Sequence, residues 1–282
     1  MGQLVLAAKV SHVPSLMLSE VEGSPLKAAR ADAVKALREL GRRAKERAVS
    51  TFVVLDTHWL SNFGYHLNAN ARHRGSFTSH EAPHMIQDLP YDLPGDTALA
   101  EAIAREAADA GLNVIAHKVE SLGLEYGTIV PMHYVNGDGF AKVVSVASPL
   151  FTSLEESRIL GEAIRRAIDK SGERVALLAS GSLSHRLWPN KKLGPEAWTS
   201  IASEFNRQVD MRVLELWQQR RWREFLDMLP DYAVKCNGEG GMADTIMLFA
   251  ALGWYDYQGA AEQLCEYFPS SGSGQVNVEF HV

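Results

Sequence analysis

The chain has 282 residues, of which 46% are hydrophobic and 22% charged, a balance that supports a sizeable core and excludes an extended disordered protein. Its 28 basic and 34 acidic side chains leave a formal charge of −6, which excludes the basic footprint of a nucleic-acid binder, and no apolar run is long enough to span a bilayer. Two cysteines, Cys236 and Cys265, are too few for a disulfide framework or a four-thiolate zinc site, so any metal must be held mostly by nitrogen and oxygen. Residues 1–8 carry no positive leader and no cleavage site, which predicts a cytoplasmic protein.

Apolar runs alternate with stretches of helical period, the pattern of an α/β fold in which helices cover both faces of a central sheet. The first run is Leu4 to Ala8. A helix follows, with Ser24 as its cap and Pro25 at its start, and with Leu26, Ala29, Ala33, Leu37 and Leu40 as its apolar stripe. The second run, Phe52 to Leu55, ends at Asp56-Thr57-His58-Trp59. Residues 61–94 show no clear period and are long for a structureless loop, so they are a candidate lid or binding loop. Asp96 is placed to cap a helix through Leu99, Ile103 and Ala107 that Gly111 closes. Val114-Ile115-Ala116 runs into His117, and Val143 to Val146 is a further strand. Ser153 with Glu156 forms a capping box ahead of Leu160, Ala163, Ile164 and Ala167. Val175 to Ala179 leads into Ser180-Gly181-Ser182-Leu183-Ser184-His185. The last third reads as mostly helical, from about residue 195 to 219 and again from about 242 to 252. With no repeat, linker or charge block, residues 1–282 read as a single domain.

Four of the ten histidines, His12, His58, His117 and His185, share one setting, close behind a short apolar run. In open α/β sheets the ligand crevice lies beyond the carboxyl ends of the strands, so this placement predicts convergence of the four imidazoles at one sheet edge. Neutral imidazoles at a cleft suit a divalent transition metal, and charge balance then calls for a carboxylate. Asn237-Gly238-Glu239-Gly240-Gly241 offers one, because the flanking glycines allow a tight turn that aims Glu239 inward at the start of a helix. The zinc-protease helix, the phosphate loop, the dinucleotide fingerprint and the Gly-x-Ser-x-Gly elbow are all missing. A histidine–carboxylate site of this kind leaves a metal-dependent hydrolase open as an alternative.

Six segments in order, residues 6–15, 55–59, 124–132, 179–186, 238–240 and 269–277, closely resemble class III extradiol ring-cleavage dioxygenases, in particular those that open 3,4-dihydroxyphenylacetate. The resemblance spans nearly the whole chain. It implies non-haem Fe(II) bound by two histidines and a glutamate, which map onto His12, His58 and Glu239, with positions left for substrate and oxygen. Manganese would suit the same ligands. Two further family histidines, with acid–base and oxygen-handling roles, map onto His117 and His185.

The implied reaction is extradiol cleavage of a catechol by O2 to a muconic semialdehyde. The leading substrate is 3,4-dihydroxyphenylacetate; protocatechuate, another substituted catechol or an aminophenol are the alternatives. His133, Arg186 and Tyr126 lie within or beside the matched motifs and are the candidate substrate-binding residues. The family usually has arginine where this chain has His133, which bears on recognition of an anionic side chain. The expected partners are the small-molecule catechol and O2, without nucleic acid or membrane, and the apolar C-terminal third suits a homo-oligomer.

Overall fold

The computed structural model describes residues 1–282, the side chain of Pro195 excepted. In chain order the elements are β1 (Gln3–Val10), α1 (Ser15–Glu20), α2 (Lys27–Glu46), β2 (Thr51–Ser61), β3 (Tyr65–Asn68), β4 (Arg72–Phe77), β5 (Leu89–Pro94), α3 (Thr97–Asp109), β6 (Val114–His117), α4 (Tyr126–Val135), β7 (Lys142–Pro149), α5 (Leu154–Lys170), β8 (Arg174–Ser180), α6 (Glu204–Gln218), α7 (Trp222–Lys235), α8 (Ala243–Leu252), β9 (Ala261–Gln263), β10 (Phe268–Ser270), β11 (Ser273–Gln275) and β12 (Val278–Phe280).

One eight-stranded sheet runs β6-β3-β7-β2-β8-β1-β12-β9. Its centre, β7-β2-β8-β1, is parallel. The strands are apolar on both sides because both sides are covered. Alternate residues of β2 show the division: Val53 and Leu55 pack with α3, α5, α6, α7 and α8, whereas Phe52 and Val54 pack with α1, α2 and α4. This is the predicted α/β architecture. No helix is long and apolar enough to cross a membrane among the described residues.

Local signals decide several boundaries. Asp96 accepts from the Leu99 N–H at 3.1 Å and starts α3, while Ser153 and Glu156 form the reciprocal box that starts α5. The stripe of α2 is rotated from the expected one at its start: Ala29 is exposed and Arg30 is buried. The cause is polar, since the Arg30 side chain finds inward partners that hydropathy does not register. Residues 61–94 are more ordered than their composition suggests. They form β3 and the β4–β5 hairpin, and only residues 78–88 make an irregular excursion. The C-terminal third also holds α7 and four strands of three residues each, too short to show a period, and β12 pairs antiparallel with β1.

Candidate active site

Three segments meet at the carboxyl end of the parallel strands. β1 ends at Val10, opposite Ser180 of β8, so Ser11 and His12 leave the sheet beside the β8 turn. β2 loses register with β7 between Asp56 and Leu60, which throws Thr57, His58 and Trp59 out of the ladder. Asp56 repairs that break. One of its carboxylate oxygens accepts from the His58 N–H at 2.8 Å and the Trp59 N–H at 3.1 Å, and the other accepts from Thr128 Oγ1 at 2.7 Å. Gly127 makes room for this, because a Cβ there would lie 2.0 Å from Asp56 Oδ1. Glu239 comes from a turn in which Gly240 and Gly241 take φ of 54° and 64°, just ahead of α8.

His12, His58 and Glu239 offer ligand atoms that all lie within 4.8 Å of one another. Glu239 Oε1 is 3.2 Å from Nε2 of each histidine. Adjacent ligands on a cation at about 2.1 Å are about 3 Å apart, so the spacing fits a divalent metal. The tautomer of His12 fits as well. Ser180 Oγ has one proton, which goes to the Gly127 carbonyl at 2.5 Å, so at 3.0 Å from His12 Nδ1 it can only accept. His12 therefore carries a proton on Nδ1, which leaves Nε2, the nitrogen facing Glu239, as the one that could ligate a metal.

Glu239 is 5% exposed and receives the Ser182 N–H and, at 2.8 Å, the Thr57 hydroxyl. Burial pushes its pKa up, but the imidazoles of His185 and His12 overcome that and hold the carboxyl well below its usual range. For His58 burial favours the neutral ring, yet Glu239 and Glu81 raise it to about 10. Negative charge thus gathers at a place that suits a cation.

A cavity of about 180 Å³ opens from this cluster, walled by His12, His58, Tyr126, His185, Glu81 and Trp198 among others. His185 Nδ1 lies 3.4 Å from Glu239 Oε2 and 3.1 Å from Ser182 Oγ. Its pKa is raised: burial works against the charged ring, and the Glu239 carboxylate outweighs it. Tyr126, the first residue of α4, sets its hydroxyl 2.7 Å from His58 Nε2 and donates to Glu81. Burial, then Glu81, keeps that phenol protonated far above its ordinary range.

Three of the expected site residues lie elsewhere. His117 is on β6, at the far edge of the sheet. β3 pairs antiparallel with β7, and β6 parallel with β3, so β6 runs opposite to β2 and its carboxyl end does not reach the crevice. Instead His117 Nε2 meets His66 Nδ1 at 2.6 Å, the rings stacked at 4.8 Å. His133 sits two turns beyond Tyr126 on the exposed side of α4, 3.1 Å from Glu20. Arg186 is exposed and does not line the cavity.

Conversely, Glu81, His84 and Met85 of the 78–88 excursion, Trp198, and the serines of the β10–β11 hairpin do line it. Only the length of the 61–94 segment and the 269–277 motif pointed towards them.

Residues 6–281 match the family described as the catalytic LigB subunit of aromatic ring-opening dioxygenase. The chain belongs to that family, and it is an aromatic ring-opening dioxygenase. It is 45% identical over 262 residues to 3,4-dihydroxyphenylacetate 2,3-dioxygenase of Escherichia coli, covering 92% of this chain and 94% of that one. It is 26% identical over 293 residues to the beta subunit of 2-aminophenol 1,6-dioxygenase of a Pseudomonas species, covering 100% and 95%. Among solved structures, an uncharacterized protein of Escherichia coli K12 superposes with a TM-score of 0.66 over 98% of this chain and 99% of that one, at 19% identity, a likeness of fold alone.

Proposed function

We propose that this protein opens 3,4-dihydroxyphenylacetate by extradiol cleavage with O2, using Fe(II) held by His12, His58 and Glu239. The observation that carries the reading is the meeting of two imidazoles and one carboxylate at the inner end of a cavity that His185 and Tyr126 also line. Fe(II) there would supply the charge that lowers the pKa of a catechol hydroxyl and the redox access that triplet oxygen requires.

The chain's own groups do the rest. Ser180 fixes the His12 tautomer, and Thr57 with the Ser182 amide fixes Glu239, so the ligand set is organised in advance. Tyr126 keeps its proton and presents a hydroxyl beside His58, in reach of a substrate oxygen. It takes the place of His117 as the group that hydrogen-bonds a catechol hydroxyl, because His117 is remote. His185, whose pKa Glu239 raises against the effect of burial, stands at the cavity to give a proton to the oxygen that becomes negative during cleavage. Glu81 accepts from Tyr126 and faces His58 Nδ1 at 3.2 Å, which orients both rings. The 45%-identical relative supports the acetate side chain. Similarity to both the beta and the alpha subunit of the 2-aminophenol enzyme supports a second copy of this chain as an assembly partner.

The test is anaerobic loading with Fe(II), followed by a panel of catechols read by oxygen electrode and visible absorbance. Uptake of one O2 per 3,4-dihydroxyphenylacetate with a yellow product is expected. A preparation with full iron that leaves every catechol intact would refute the reading.

A further inference from the structure

Behind one wall of the cavity lies a cation without a counter-ion. Arg30, on the first turn of α2, is 1% exposed and makes no ion pair among the described residues. Its hydrogen bonds all end on neutral oxygens: Nε to Ser15 Oγ at 2.9 Å, one terminal nitrogen to the Trp198 carbonyl at 2.6 Å, and the other to the Ala29 carbonyl at 3.4 Å. The Phe268 ring lies 5.1 Å from the guanidinium carbon. Burial pulls the pKa down to about 10 and no carboxylate offsets it, so the group remains a cation at neutral pH. Buried charges are ordinarily paired, and this one is not.

The partners of Arg30 say where its charge is directed. Ser15 and Trp198 both line the cavity. Ser15 Oγ also lies 3.0 Å from Ser270 Oγ, and Ser270 opens the turn to Ser273, in which Ser271 holds φ of 53°, a conformation that non-glycine residues seldom keep without a reason. Ser270, Ser271 and Ser273 all line the cavity as well. Ser15 follows His12 by three residues, so it is at most about 10 Å along the chain from the metal ligand. A benzene ring with a two-carbon arm spans such a gap. His84, also at the cavity, is exposed to solvent and screened.

We propose that Arg30 is the counter-ion of the substrate's carboxylate, acting through Ser15 so that the part of the cavity walled by Ser15, Ser270 and Ser271 is an anion subsite. This rests on the acidic-catechol reading above and assigns the role first expected of His133 or Arg186. Arg30 is a positioning residue: its charge orients the Ser15 hydroxyl and sets the potential, while the hydroxyls touch the ligand.

The experiment compares the iron-loaded wild type with Arg30→Met, Arg30→Lys and Ser15→Ala, using 3,4-dihydroxyphenylacetate and its uncharged analogue 4-methylcatechol. For Arg30→Met the ratio of kcat/KM for the acid over the neutral catechol is expected to fall about tenfold or more, carried by KM, as loss of the positive charge behind the Ser15 hydroxyl implies. Lysine should restore part of the ratio, and Ser15→Ala should lower it about threefold. In parallel, calorimetry under nitrogen measures 4-hydroxyphenylacetate against 4-methylphenol; only binding of the acid should weaken. Equal losses on both members of each pair, or an unchanged ratio, would overturn the proposal and make Arg30 a structural tie. Should Arg30→Met fail to fold, Arg30→Lys and Ser15→Ala decide the same question. A wild type that cleaves no catechol would sink the proposed function instead, and the calorimetric arm would still report on Arg30.

Discussion

The sheet carries two histidine pairs, and they differ in every respect that matters for chemistry. His12 and His58 stand at the carboxyl end of parallel strands, with Glu239 at 3.2 Å from both. His66 and His117 stand on β3 and β6, which run against the central strands, and they meet each other and the Phe63 carbonyl but no carboxylate. Three strand spacings separate β6 from β2, about 14 Å at about 4.8 Å each. At the first pair carboxylates raise the His58 pKa to about 10. At the second, burial and then the neighbouring His66 lower that of His117. Two imidazoles in contact do not by themselves make the constellation proposed to hold the metal; strand direction and a buried carboxylate distinguish the two pairs.

The sharpest way to break this comparison is to remove the carboxylate. Glu239→Ala should abolish iron retention and cut turnover by more than about a hundredfold, since even partners of metal ligands are worth about 10–100-fold. Iron content by emission spectroscopy checks it. His185→Ala should keep its iron and lose about 10²–10⁴ in kcat, the range of general acid–base assistance, read by oxygen uptake. Gly127→Ala puts a methyl against Asp56 and disturbs the bulge that presents His58; an overpacking cost of about 1–3 kcal/mol should lower the melting temperature and weaken Fe(II) binding together.

A smaller effect concerns Glu81. Its hydrogen bond with His58, then that with Tyr126, lowers its pKa from 4.5 to about 2. A depressed carboxyl stabilises the fold above its unfolded pKa, and that contribution disappears as pH falls through the folded value. The stability difference between the metal-free wild type and Glu81→Gln should therefore be full above pH 4.5 and vanish towards pH 2, as followed by urea unfolding. Least of all, His117→Ala should change kcat by less than about twofold, because a surface change away from the site is usually worth under about 0.5 kcal/mol.

Much of this was legible in the sequence, and the failures share a cause. The α/β class, the caps at Asp96 and Ser153, and the turn that aims Glu239 rest on local rules, and each held in the fold. His117 was misjudged because the strand-end rule presumes parallel strands, and the four residues Val114–His117 carry no mark of direction. His133 was misjudged because motif adjacency says nothing about which side of a helix a residue occupies. Arg30 and Glu81 escaped for the opposite reason. One interrupts an apolar stripe and the other lies in an aperiodic segment, so their partners are set by tertiary contacts alone. The short strands β12 and β9 likewise add in turn to the edge that β1 offers, and β10 and β11 pair only with each other, so none of the four carries a local signal.

The most direct test is an anaerobic Fe(II) titration of the wild type beside the single alanine variants of His12, His58, Glu239 and His117. One tight ferrous ion per chain is predicted for the wild type and for His117→Ala, and none for the other three. Loss of the ion in His117→Ala, or its retention when His58 or Glu239 is replaced, would contradict the account.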